Sequence, residues 1–159
     1  DPAVRRELLV AVLDDAYATI ARQAYFVLFE KEAHRAAADG ATVDELCVLY
    51  MDNLEHQFGD AVDVSEDFRW EWMAIPHLYH TPFYCYAYSF GQLLVLSLYA
   101  QYREEGDAFV PRFLKILAYG GSRSPEDIIS EAGLDMASPD FWQAGFDALR
   151  GWLDELERL

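Results

Sequence analysis

Three features of this 159-residue chain predict an all-α fold. Apolar residues recur at spacings of three and four over several long stretches. Helix-starting caps and helix-ending glycines alternate along the chain. The one short alternating stretch, around Val62 and Val64, has no second strand-like stretch to pair with. The expected architecture is an irregular multi-helix bundle of six or seven helices, read as one helical domain over residues 1–159.

The first helix is expected over residues 2–38. Leu9, Val12, Leu13, Ala16, Tyr17 and Ile20 form its apolar stripe, Asp1-Pro2 its start and Gly40 its stop. Its length suggests a bend near Gln23. Within it, Glu30 and His34 stand one turn apart, which reads as a surface hydrogen bond, since two ligands do not make a metal site. The carboxylate-bundle pattern of two Glu-x-x-His motifs is absent, because neither His34 nor His56 follows a glutamate by three.

Thr42-Val43-Asp44-Glu45 is a capping box: the threonine oxygen satisfies a helical N–H while Glu45 reaches back to the threonine N–H. The helix it opens carries Leu46, Leu49, Tyr50, Leu54 and Phe58 and stops near Gly59, with His56 as a partly exposed polar residue. Residues 61–68 read as an extended linker, and Trp70, Trp72 and Met73 as a bulky cluster wedging the next segment in place.

Residues 82–105 form the most apolar helix, starting at Pro82. Leu93, Leu94, Leu96 and Leu98 leave it little polar face, which suits a central position, and Gly91 would admit a close neighbour. Gly106 ends it and Asp107 is expected to cap the following helix, residues 109–118. Gly120-Gly121-Ser122 is a turn without the phosphate-loop pattern. Ser124-Pro125 and Ser138-Pro139 each place a cap before a first-turn proline.

The net charge of −16 argues against nucleic acid as partner. No apolar run reaches membrane-helix length, so no membrane partner is expected. Cys47 and Cys85 lack metal-type spacing and read as buried free thiols, which fits a cytoplasmic setting. No signal-peptide pattern opens the chain, and its Asp-Pro start suggests a truncated or processed product.

The densest chemistry lies in residues 75–91, where His77, His80 and the tyrosines 79, 84, 86 and 88 cluster between Pro76, Pro82 and Gly91. Each proline disfavours helix at the residue before it. A rigid loop over residues 77–81 feeding the helix at Pro82 is therefore expected, with Phe83, Tyr86 and Phe90 near one helix face.

Ile75-Pro76-His77-Leu78-Tyr79, then Pro82-Phe83-Tyr84-Cys85-Tyr86-Ala87-Tyr88 and Gly91, resembles the C-terminal signature of oligoendopeptidase F-type zinc metallopeptidases, in the thimet oligopeptidase clan. Gly120-Gly121-Ser122, Ser124-Pro125-Glu126 and Ala132-Gly133-Leu134-Asp135 resemble that family's next segment. The resemblance covers about residues 70–135. It implies the C-terminal part of a larger helical peptidase that hydrolyses short peptides. The zinc of such enzymes is held by an H-E-x-x-H helix and a later glutamate, and no H-E-x-x-H occurs here. The resemblance therefore implies zinc in the parent enzyme, none bound by this chain's own residues, and no activity in this chain alone. The N-terminal part of the same peptidase and an oligopeptide substrate are the implied partners.

The same resemblance assigns to His77 and one tyrosine the stabilisation of the attacked carbonyl. Ring N–H and phenolic O–H groups suit that task, being polarised donors on pre-positioned rings. The tyrosine stays open among Tyr79, Tyr84 and Tyr86; Tyr86 is favoured as the match to the clan's catalytic tyrosine, with Tyr84 beside it. Tyr79, His80 and Tyr88 are the expected substrate contacts. The competing reading is a free-standing helical domain that binds a ligand or protein through an aromatic pocket. The apolar central helix favours the peptidase part, and it implies an exposed apolar surface that self-associates or stays with its complement.

Overall fold

The computed structural model describes all of residues 1–159 and contains eight α-helices and no strand. They are α1 (Pro2–Ala16), α2 (Arg22–Ala38), α3 (Val43–Phe58), α4 (His77–His80), α5 (Tyr86–Glu105), α6 (Val110–Tyr119), α7 (Pro125–Glu131) and α8 (Pro139–Leu156). The count exceeds the expected six or seven for two reasons. A π-helical turn, Tyr17–Ala21, divides the long N-terminal helix, and His77–His80 makes a helical turn of its own. The π turn lies just ahead of Gln23, where a bend is predicted. No helix is long and apolar enough to cross a membrane.

The predicted caps form. Thr42 and Glu45 make the reciprocal capping box at α3. Ser124 accepts from Asp127 N and Ser138 from Asp140 N. Each such cap contributes about 1 kcal/mol. Asp107 does not cap: residues Gly106–Ala108 form a 3-10 turn, and Phe109 occupies the α6 cap position without a side-chain bond. The linker is extended at Val62 but coils into a 3-10 helix over Glu66–Ala74, because Ser65 accepts from Asp67 N and fixes its first turn.

The chain folds into two compact units, Asp15–Phe90, and Asp1–Asp14 with Gly91–Leu159. In the first, Phe26, Phe29, Cys47, Tyr50, Leu54, Trp72, Ile75, Leu78 and Cys85 pack as one core. Phe29 meets Tyr50 edge-on with centroids 4.9 Å apart, a pairing that contributes about 0.5–1.5 kcal/mol beyond burial. Both cysteines are fully buried free thiols.

In the second unit, Leu98, Phe109 and Ile129 form the core, with Leu94, Ile116 and Phe141 against it. The close helix approach occurs at Gly145 of α8, not at Gly91. A side-chain carbon at Gly145 would lie 3.1 Å from Leu93 O and 3.1 Å from Ser97 Oγ, whereas Gly91 has nothing within 4 Å. Arg5 bonds both carboxylate oxygens of Glu155 at 2.7 Å. A groove of about 580 Å³ runs beside α5 and α6, its walls including Leu94, Val95, Leu98, Phe109, Phe113 and Leu117.

Candidate functional site

All the predicted site residues belong to the unit Asp15–Phe90. The path to them starts at the 3-10 helix Glu66–Ala74. Its Glu71 carboxylate accepts from Arg22 Nη2 of α2 at 2.5 Å and from the Tyr50 hydroxyl of α3 at 2.6 Å. That fixes the segment on two helices before the chain reaches Pro76. Pro76, with φ −62°, has helical geometry, and its carbonyl accepts from Tyr79 N and His80 N. The expected loop over residues 77–81 is therefore one turn of helix, since a proline at the cap needs no N–H partner of its own. Leu78 points into the core, leaving His77, Tyr79 and His80 toward the surface.

Helix α5 begins at Tyr86 rather than Pro82. Phe83 has φ +61°, the left-handed region, which interrupts any helix started at Pro82. A bulky residue in that region costs about 1–2 kcal/mol. The offset comes from Glu30: its Oε1 accepts from Phe83 N at 2.7 Å. Phe83 thus leaves the helix face shared by Tyr86 and Phe90, and its ring instead lies 4.8 Å from the His34 ring.

This overturns the surface reading of Glu30 and His34. Glu30 is 1 % exposed, and His34 Nε2 stands 3.9 Å from Glu30 Oε1, outside hydrogen-bond range. The signal was in the sequence, because Phe26, Phe29, Glu30 and Ala33 share one apolar stripe, so Glu30 occupies a core position.

Beyond the Phe83 turn the rings converge. Tyr84 lies parallel to His77 at 6.3 Å and 6° between planes. Tyr88 meets His77 edge-on at 5.5 Å and Tyr84 edge-on at 5.6 Å. The His77 Nε2 and the Tyr88 hydroxyl are 2.8 Å apart. With the proton on Nε2, the imidazole donates, Tyr88 oxygen accepts, and the tyrosine's own hydrogen remains available to a third group. Tyr86 stands apart from this trio and is 60 % exposed. Tyr79 stacks on Trp72, and its partial burial raises its hydroxyl above the ordinary range. His80 is exposed beside it. Trp72 is the wedge that the aromatic cluster predicts, while Trp70 and Met73 face solvent.

Residues 4–148 match the model of Peptidase family M3. The chain belongs to that family. This M3 chain is 33% identical over its full length to oligopeptidase PepF of Bacillus subtilis (strain 168), of which it spans 24%. It is also 33% identical to the plasmid oligoendopeptidase F of Lactococcus lactis subsp. cremoris, spanning 27% of it. The crystal structure of oligoendopeptidase-F from Enterococcus faecium superposes with a TM-score of 0.82 at 27% identity, covering 99% of this chain and 30% of that one. The M3 chain thus spans about a quarter of the length of these curated relatives.

Members of the family are metallopeptidases. In this M3 chain no three His, Cys, Asp or Glu side chains gather where they could hold a metal ion.

Proposed function

We propose that this chain is the C-terminal part of a cytoplasmic, zinc-dependent oligopeptidase, in which it binds short peptides and stabilises the attacked carbonyl. The zinc ion would be held by the part of the peptidase that this chain lacks, and the chain alone would be inactive. The observation carrying this reading is the 2.8 Å contact between His77 Nε2 and the Tyr88 hydroxyl within a cluster of three rings. As the carbonyl carbon becomes tetrahedral, negative charge builds on its oxygen. A hydroxyl already held by a histidine can donate there without first reorganising, which favours the transition state over the ground state. In this proposal His77 and Tyr88 act on the oxyanion and Tyr84 holds the His77 ring by stacking. Tyr79 and His80 are exposed and supply substrate contacts. Tyr86, outside the trio, is the competing donor.

Kinetics of the complete peptidase on a quenched peptide separate these roles. Tyr88→Phe is expected to lower kcat by about 100-fold or more with little change in KM, because only a transition-state contact is lost. Tyr86→Phe is expected to leave kcat near that of the parent. The reverse pattern would transfer the donor role to Tyr86, and no peptide cleavage by the unsubstituted complete protein would end the reading.

A further inference from the structure

We infer that Glu30 is a positioning residue, which sets the ring cluster through the backbone of Phe83. This rests on the proposed peptidase reading for its catalytic consequence, but the geometry stands independently. Glu30 lies on α2, 53 positions before Phe83 in sequence, and its side chain is 1 % exposed. Its Oε1 accepts from the N–H of Phe83, and its Oε2 is buried without a hydrogen-bond partner. A carboxyl group in such a place has lost its water and gained one bond, so packing alone gives no reason for it over an apolar residue. The bond it makes falls on the one non-glycine residue with positive φ in the chain.

That residue directly precedes Tyr84. The turn is closed by Tyr84 N donating to Thr81 O, and it is followed by Cys85, which is fully buried and lies near enough to Glu30 for the carboxylate to help burial raise its thiol. Phe83 is thus held on one side by Glu30, and the chain is anchored on the other by Cys85. Between them, Tyr84 has one direction in which to lie, parallel to His77. Without the carboxyl acceptor, Phe83 relaxes to negative φ, and the peptide plane that orients Tyr84 rotates. The α5 start and Tyr88 follow, because Cys85 O accepts from Tyr88 N.

Two substitutions in the complete peptidase test this. Glu30→Gln keeps an oxygen able to accept from Phe83 N, whereas Glu30→Met keeps the volume and removes the acceptor. Hydrogen exchange at the Phe83 amide is expected to stay slow in Glu30→Gln and to accelerate at least about tenfold in Glu30→Met, as an amide does when its bond opens locally. In the same proteins kcat is expected to fall about 100-fold in Glu30→Met and little in Glu30→Gln, with unchanged metal content and thermal stability, the scale of a displaced catalytic group. Unchanged Phe83 exchange in Glu30→Met would overturn the contact. Accelerated exchange with parental kcat would overturn the positioning role. If the unsubstituted protein cleaves no peptide, the peptidase reading fails while the exchange result still decides whether Glu30 holds the turn.

Discussion

Tyr50 donates its hydroxyl hydrogen to Glu71 at 2.6 Å from a fully buried ring, and the same carboxylate receives Arg22. This joins α2, α3 and the 3-10 helix that leads to His77. Tyr50→Phe keeps the ring contact with Phe29 and deletes the bond. A hydrogen bond to a charged group contributes about 1.5–3 kcal/mol, and partial exposure of Arg22 and Glu71 moves the expectation toward the lower end. The denaturant midpoint should fall accordingly at unchanged slope. A midpoint equal to the parent's would mean that water replaces the bond at no cost.

Alkaline pH should destabilise the fold through the same residue. Burial, and then the Glu71 hydrogen bond, raise the Tyr50 hydroxyl well above its ordinary value of 10.0. Burial and Glu30 likewise raise the Cys85 thiol above 9.0. A group whose folded value is raised contributes stability that is complete below its unfolded value and disappears as pH climbs toward the folded one. Stability measured by denaturant should therefore be insensitive to these groups below pH 9 and decline from there upward. Tyr50→Phe should flatten the part of the decline above pH 10. An identical alkaline limb in that variant would remove Tyr50 as its source.

The groove beside α5 and α6 carries the apolar surface that the sequence predicts. Val95 and Leu117 are each 60% exposed on its rim. The 159-residue chain is expected to bind an apolar fluorescent dye and to self-associate in concentrated solution. Leu117→Lys should weaken both, since a charge on the rim must be desolvated when the groove is covered. A single monomeric species by analytical ultracentrifugation, with no dye bound, would show that this groove needs no cover.

Much of the fold is local in origin and so was legible residue by residue. Thr42 with Glu45, Ser124 and Ser138 act on backbone groups two or three residues away, and such devices work wherever the chain goes next. The spacings of three and four likewise mark the helices before any packing is known. What failed to be legible depends on partners far along the chain. Pro82 reads as a helix start until Glu30, on another helix, takes the Phe83 N–H and turns the backbone the other way. Gly91 reads as a contact point until Gly145 proves to be the glycine beneath α5.

The candidate site divides in the same way. The residue types, His77 with the tyrosines between Pro76 and Gly91, and the family resemblance they carry are properties of the sequence alone. A sequence states which rings are near each other along the chain, within a turn or two. The resemblance favours Tyr86 as the donor, and only the tertiary structure puts Tyr88 at 2.8 Å from His77 while leaving Tyr86 outside the trio. The reason is physical: ring direction depends on where the helix begins, and that point is set by a hydrogen bond spanning fifty-three residues.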